Sequence, residues 1–450
     1  MKKLDMLGLG SLCFLSLAIL FLSLYESHKP ISAKLQEGLN ASAVSPQGGL
    51  TIEFSKPVES RKTEEAFLLE PDYLLNFDWL NARSLRLHWV KPIPAGTKIR
   101  LTLKETSIGQ NGERSLPQVW DLGIRMPRIL LKGADPAHNE LFSLDPINPA
   151  DLRQLTHTKN RLFDFTVSAE VSTYYYTVLN DLHGTSLWSG GRDGQEQKEI
   201  INFDSQFCYS PSVNNNEVLL LTCQNRSAEN GEVATKLWLV YPSAGKANPL
   251  FSDPSLKGEL GKWSPDGQWI SYYERENKVL VALNPEVGQS FRVEMGGENN
   301  GSWSPDSRFL YYPSQSAEGF GFNAPIMKLD LQTGLSSPAI PAQTDADAYL
   351  YDYLTPHPQN DWIALAASHY YGITGNAVLL LNQKTHAKIF VSEDISRFHS
   401  QFKWSPDGQN LLFQSSALQG QGQPEIWIWN LKDNLARKII DQFLLPAWMP

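Results

Sequence analysis

At 450 residues, with 42% hydrophobic, 11% aromatic and 19% charged side chains, the chain has a folded protein's composition and room for more than one domain, which excludes wholesale disorder. Its 39 Lys and Arg against 48 Asp and Glu give a net charge of −9 with no basic block, which argues against a nucleic-acid partner, whose binding needs phosphates neutralised. The 31 Gly and 28 Pro scattered along the chain, with 13 Trp and 16 Tyr, point to short strands and many turns.

Lys2 and Lys3 precede an uncharged apolar run, Met6 to Tyr25. Twenty helical residues span about 30 Å, the thickness of a bilayer's hydrocarbon core. The run ends in Glu26-Ser27-His28-Lys29-Pro30, and small-residue cleavage options (Ser32-Ala33, Ala41-Ser42-Ala43) lie beyond it. The reading adopted is an uncleaved signal anchor over 6–25, a cytoplasmic tip at 1–5 and a stalk at 26–45. A cleaved signal peptide and lipidation at Cys13 are the alternatives. Lysines before the run keep the N-terminus in the cytoplasm, so the expected location is a single-pass membrane protein with its bulk extracytoplasmic, periplasmic or at the cell surface.

Residues 46–127 alternate short strands with turns. Leu50-Thr51-Ile52-Glu53-Phe54 and Leu85-Arg86-Leu87-His88-Trp89 have period two, Pro94 to Thr97 is a turn before Ile99 to Leu103, and Asn111-Gly112 is a hairpin signal. These predict a small β-sandwich. The order of Phe54-Ser55-Lys56-Pro57-Val58 and the later Pro94-Ala95-Gly96-Thr97 strand resembles the bacterial Ig-like domain of envelope proteins, although Ile99 stands where that family often has Tyr. The resemblance implies a spacing or cohesive role. His88 reads as a strand residue beside Trp89.

From residue 128 the chain repeats itself. Lys262-Trp263-Ser264-Pro265-Asp266-Gly267-Gln268-Trp269-Ile270 returns as Ser302-Trp303-Ser304-Pro305-Asp306-Ser307-Arg308-Phe309-Leu310 and as Lys403-Trp404-Ser405-Pro406-Asp407-Gly408-Gln409-Asn410-Leu411. Eroded copies start at Val167, Tyr209 and Pro356, and Trp448 begins a last unit that stops. These seven markers are spaced by 42, 54, 40, 53, 48 and 44 residues, a β-propeller period. The motif has a structural reading: the Ser and Asp oxygens accept turn amides, Gly267 and Gly408 let the chain reverse, and the tryptophans pack between blades. Asp266, Asp306 and Asp407 are therefore read as turn residues, not catalytic acids.

The repeat resembles the TolB-type propeller of bacterial envelope proteins, which also precedes the hydrolase domain of prolyl oligopeptidase-like enzymes. The resemblance covers 128–450 and implies an all-β propeller. Three strand-like runs at 128–157 lack a marker and the last marker lacks a hairpin, so the two ends build one composite blade and the count is seven, with six the alternative. Within the repeat, Cys208 and Cys223 flank a predicted hairpin and face each other on neighbouring strands. A disulfide and two buried thiols are both open readings.

No nucleophile elbow, HExxH, P-loop or dinucleotide fingerprint stands at a credible position, and no cofactor or metal site is expected. Asp345, Asp347 and Asp352 are read as a solvated acidic loop rather than a Ca²⁺ site. The loops opposite the Ser-Pro-Asp turns are aromatic in two neighbouring blades: Phe320 and Phe322, then Tyr349, Tyr351 and Tyr353, then His369, Tyr370 and Tyr371. They are the candidate binding rim, while the alternation of the three tyrosines also fits a plain inner strand. The expectation is a non-catalytic, membrane-tethered scaffold or recognition protein for envelope protein or glycan partners. The alternatives are a hydrolase or lyase acting in the central channel, and a sensor ectodomain.

Overall fold

The computed structural model describes residues 29–35, 44–46, 48–168, 173–226, 233–253, 256–295, 301–314, 325–341, 349–369, 375–418 and 422–449. Strands dominate, and the one α-helix among the described residues is Ser60–Ala66. Its seven residues reach about 10 Å, a third of a bilayer core. No helix among the described residues is long and apolar enough to cross a membrane. The expected transmembrane helix, and the single-pass membrane location drawn from it, are corrected accordingly; residues 6–25 lie outside those described.

The chain divides into two compact units, Met1–Met126 and Pro127–Pro450. The first holds two antiparallel sheets. One is ordered Ala33–Leu35, Gly48–Phe54, Ser84–Trp89, Leu75–Asn81, and the other Phe67–Glu70, Lys98–Leu103, Gln118–Gly123. Period two decides what is buried: Leu50, Ile52 and Phe54 share a core with Leu85, Leu87, Trp89, Ile99, Leu101 and Leu103. His88 meets Asp78 across the strand pair at 3.2 Å.

Among the described residues, the second unit is a ring of seven four-stranded antiparallel sheets. One end strand of each sheet touches its counterpart in the next, or, between blades 3 and 4, bonds to it from Trp303 to Lys262, which makes these strands the innermost: Leu162–Val167, Phe207–Val213, Glu259–Trp263, Ser302–Trp303, Tyr349–Pro356 and Arg397–Trp404 for blades 1 to 6. Blade 7 is composite. The C-terminal strand Phe443–Met449 pairs with Arg128–Gly133, outside which lie Leu141–Leu144 and Leu152–Gln154. Phe443–Met449 also touches Leu162–Val167, so the ring closes. Hydrophobic cores lie between consecutive blades; Phe402, Trp404 and Phe413 of blade 6, for example, pack on Ala364, Ala366 and Leu380 of blade 5. Burial of these faces supplies most of the stability.

Register places one marker differently from the sequence alignment. Trp263, Trp303 and Trp404 pair with Ile270, Leu310 and Leu411, and Val167 pairs likewise with Tyr174. In blade 2 the residue at this position is Val213, opposite Leu219, and not Tyr209. The turn Asn214–Val218 is one residue shorter: Asn214 N–H donates to the Val218 carbonyl at 3.1 Å, and Asn214 Oδ1, in place of a serine oxygen, accepts Val218 N–H at 2.9 Å. The marker spacings on either side become 46 and 50 residues.

A second repeat is conformational. Three residues before the marker, Ser210, Leu260, Tyr353, Gln401 and Leu445 all have φ between 52° and 57°. Each sits where the pairing of its innermost strand slips by one residue. These are β-bulges with a left-handed residue, a conformation that costs non-glycine residues energy and persists only because the ring holds it.

Candidate functional site: the channel between the innermost strands

The Ser-Pro-Asp turns set one end of the channel. In blade 3 the Ser264 hydroxyl donates to Asp266 Oδ1 at 2.6 Å, the same oxygen accepts Gln268 N–H at 3.0 Å, and Ser264 Oγ accepts Trp269 N–H at 3.0 Å. Blades 4 and 6 repeat the set through Asp306 and Asp407. Neighbouring turns also bond. Asp266 N–H donates to Ser307 Oγ at 2.9 Å, and His357 Nε2 donates to the Gly408 carbonyl at 2.9 Å. Burial lowers the pKa of His357, which suits a neutral ring in that contact. Gly408 has φ +68°, and a Cβ there would lie 2.4 Å from His357 Cε1, so both backbone and space require glycine.

The tryptophans join blades through their indoles. Trp303 Nε1 donates to the Lys262 carbonyl at 3.4 Å, Trp404 to Thr355 at 3.1 Å, and Trp448 to Lys403 at 3.0 Å. In each case the acceptor stands one residue before the marker of the preceding blade. Trp263 breaks the series: its buried Nε1 has no partner among the described residues.

One residue before the marker, the seven innermost strands present Thr166, Ser212, Lys262, Ser302, Thr355, Lys403 and Ala447. This ring holds two lysines, four hydroxyls and no acid. Two of the short members bond to the next blade: Ser212 Oγ accepts Trp263 N–H at 3.0 Å, and the Thr355 hydroxyl donates to the Phe402 carbonyl at 3.1 Å. Lys262 and Lys403 are too long for that and run on into the channel from blades 3 and 6, on opposite walls. Both keep contact with solvent, Lys403 the more. Burial, and behind it the charge of Lys403, pulls Lys262 down to about 7, and burial lowers Lys403 as well.

The other end of the channel, where the innermost strands begin, is aromatic. Phe163, Phe207 and Tyr209 of blades 1 and 2 form a half-buried cluster with ring centroids 4.6 to 6.4 Å apart. Lys132 lies 5.5 Å over Phe163 and donates to its carbonyl at 2.6 Å. Asp164 accepts Ser210 N–H at 3.0 Å across the two blades, and burial raises its pKa. On blades 5 and 6, Phe398 is 39% exposed and meets Tyr353 edge to face at 5.9 Å; Leu350, also 39% exposed, stands at the matching position of the neighbouring strand.

The rim residues expected from sequence divide in three. Phe320, Phe322, Tyr370 and Tyr371, with Asp345 and Asp347, lie outside the described residues, as does the side chain of His369. Tyr351 is 6% exposed and packs with Tyr311, Ile326 and Ile340 between blades 4 and 5, so it offers no surface to a partner. Tyr349 and Tyr353 are half-buried on the same innermost strand, Tyr353 turned by the bulge toward blade 6. Trp263, Trp303, Trp404 and Trp448 are all buried. Cys208 and Cys223 are directly paired across blade 2 and joined by a disulfide. The aromatic cluster of Phe163, Phe207 and Tyr209 was missed by the sequence reading. Its signal was the Phe207-Cys208-Tyr209 alternation, hidden by taking Tyr209 as a marker. Among the described residues, no group of three or more His, Cys, Asp or Glu is placed to hold a metal ion.

No family model and no curated protein matches the chain. Solved structures similar to it include TolB from Acinetobacter baumannii, at 13% identity and TM-score 0.44 over 86% of this chain and 83% of that one. An oligogalacturonate lyase from Vibrio parahaemolyticus is 15% identical with TM-score 0.40 over 62% and 73%. A prolyl endopeptidase is 10% identical with TM-score 0.49 over 79% and 49%. TolB and enzymes thus stand side by side among the similar structures, and the propeller assignment rests on the strand order and ring closure described above. None of these similarities supports an Ig-like assignment or a membrane anchor.

Proposed function

We propose that the chain is a non-catalytic recognition module that takes a protein or glycan partner at the aromatic end of its central channel. The observation that carries this reading is the half-exposed band formed by Phe163, Phe207 and Tyr209 on one side of the mouth and Tyr353 and Phe398 on the other. Rings left facing water at a concave mouth supply contact area at little entropic cost when a partner arrives. The N-terminal unit is read as a spacer of immunoglobulin type on one ground, its strand order. Strands one, two, five and four form one sheet and three, six and seven the other, as in the constant-type sandwich.

A photo-crosslinking residue at position 398, compared with one at position 435, tests the recognition site. Leu435 is 64% exposed on the outermost strand of blade 6, far along the sheet from the channel. Crosslinks in the native cell are expected from position 398 and not from 435. Equal or absent crosslinking at the two positions would refute the site.

A further inference from the structure

We infer that the channel also holds an anion site at its other end, where Lys262 and Lys403 would clasp a phosphate or carboxylate group between their ammonium ions. This site is distinct from the aromatic mouth and does not depend on the partner proposed there.

Three observations converge on it. Lys262 and Lys403 occupy the same position of the repeat, on strands three blades apart in a ring of seven, so they approach from opposite walls. Neither ammonium makes an ion pair or a hydrogen bond among the described residues, although the protein carries a net charge of −9 and acids to spare. The one acid of the two strands is already engaged: Glu259 pairs with Arg275 at 2.8 Å. The rest of the ring offers hydroxyls and an alanine, with no carboxylate to neutralise the pair.

Two like charges facing one another across the channel repel, a standing cost to the folded chain. An oxyanion between them reverses the sign of the interaction and accepts charge-assisted hydrogen bonds from both sides. The charge of Lys403, the second cause of the lowered Lys262, agrees with their facing one another across the channel. The group bound can belong to a free small anion or to the acidic end of a larger ligand, since the chemistry at the lysines is the same.

The test uses the full chain in chloride buffer at fixed ionic strength, with inorganic phosphate as one probe and a short oligoglutamate peptide as the other. Binding is read by calorimetry and by the shift of the melting temperature. Saturable binding of either probe is expected, weakened about tenfold or more in K262M and in K403M, as loss of a charged hydrogen-bonding partner predicts. Phosphate binding alone would assign a free anion, and oligoglutamate binding alone an acidic segment. K403E places opposite charges at the neck; it should abolish binding while melting at or above the wild-type temperature, which separates loss of the site from loss of the fold. If neither probe binds, or if K403E binds as the wild type does, the anion site is wrong. Crosslinking at position 398 reads the aromatic mouth alone, so failure of one site leaves the other standing.

Discussion

Trp448 Nε1 donates to the Lys403 carbonyl at 3.0 Å, tying the last strand of the chain to blade 6 by the same bond that ties Trp404 to Thr355 in blade 5. The Trp263 indole occupies the equivalent place in blade 3 with no acceptor among the described residues. Replacing each tryptophan by phenylalanine keeps a ring in the inter-blade core and removes only the N–H. W404F and W448F should each cost about 1 kcal/mol, the net worth of a hydrogen bond whose carbonyl partner is left behind. W263F should cost less, because no bond is lost and a buried donor is removed. Urea unfolding of the three variants checks the order, and equal losses at all three positions would show that packing alone sets it.

The three Ser-Pro-Asp turns are chemically alike and differently buried. Asp407 is 2% exposed, whereas Asp266 and Asp306 face solvent. D407A strands the Ser405 hydroxyl and the Gln409 amide where water reaches poorly, and should cost about 1–3 kcal/mol. D266A leaves its partners able to turn to water and should cost under about 1 kcal/mol. Thermal melts of the two variants make the comparison, and a larger loss for D266A would contradict the role given to burial.

The turns explain how much of the ring was readable. Ser, Asp and Gly at fixed offsets describe a local hydrogen-bonded loop, so three copies were visible without any tertiary knowledge. Val213 was not, because the turn after it is shorter and uses Asn214 in place of serine; only the pairing with Leu219 reveals it. The bulge residues Ser210, Leu260, Tyr353, Gln401 and Leu445 share no chemistry, since the ring imposes their conformation. Tyr351 looked like a rim residue because alternation along a strand does not say which face meets a neighbouring blade. Lys262 and Lys403 stand directly before two of the marker tryptophans, but the motif alone does not say that this position belongs to the innermost strands of the ring.

Cys208 and Cys223 close a loop with a sequence separation of 15. Restricting the unfolded chain by a loop of that size contributes about 3 kcal/mol in the chain-entropy account. Reductant should lower the melting temperature of the wild type, and the C208S/C223S variant should melt low and ignore reductant. A wild type indifferent to reductant under conditions that free both thiols, shown by thiol titration, would mean that blade packing alone holds this hairpin.

Lys262 gives the protein a pH dependence of predictable sign. Its amine falls from the usual 10.5 to about 7, by burial first and the charge of Lys403 second. Between those two values the unfolded chain keeps the proton that the folded chain has released, so stability from this group rises with pH across the interval. Below about 7 both states are charged, and the whole cost of a second cation beside Lys403 is present. The hydroxyls of Ser212 and Ser302 on the adjoining innermost strands do not titrate there, which leaves Lys403 as the charge to control. K262M should therefore be more stable than the wild type at pH 6 in chloride, with the gap closing as pH climbs toward 10. K403M should shift the Lys262 transition upward, because one of its two causes is gone. Denaturant titrations of the three proteins across this range decide the matter: parallel curves would show that Lys262 titrates as an ordinary surface lysine and that the neck of the channel is open to bulk water.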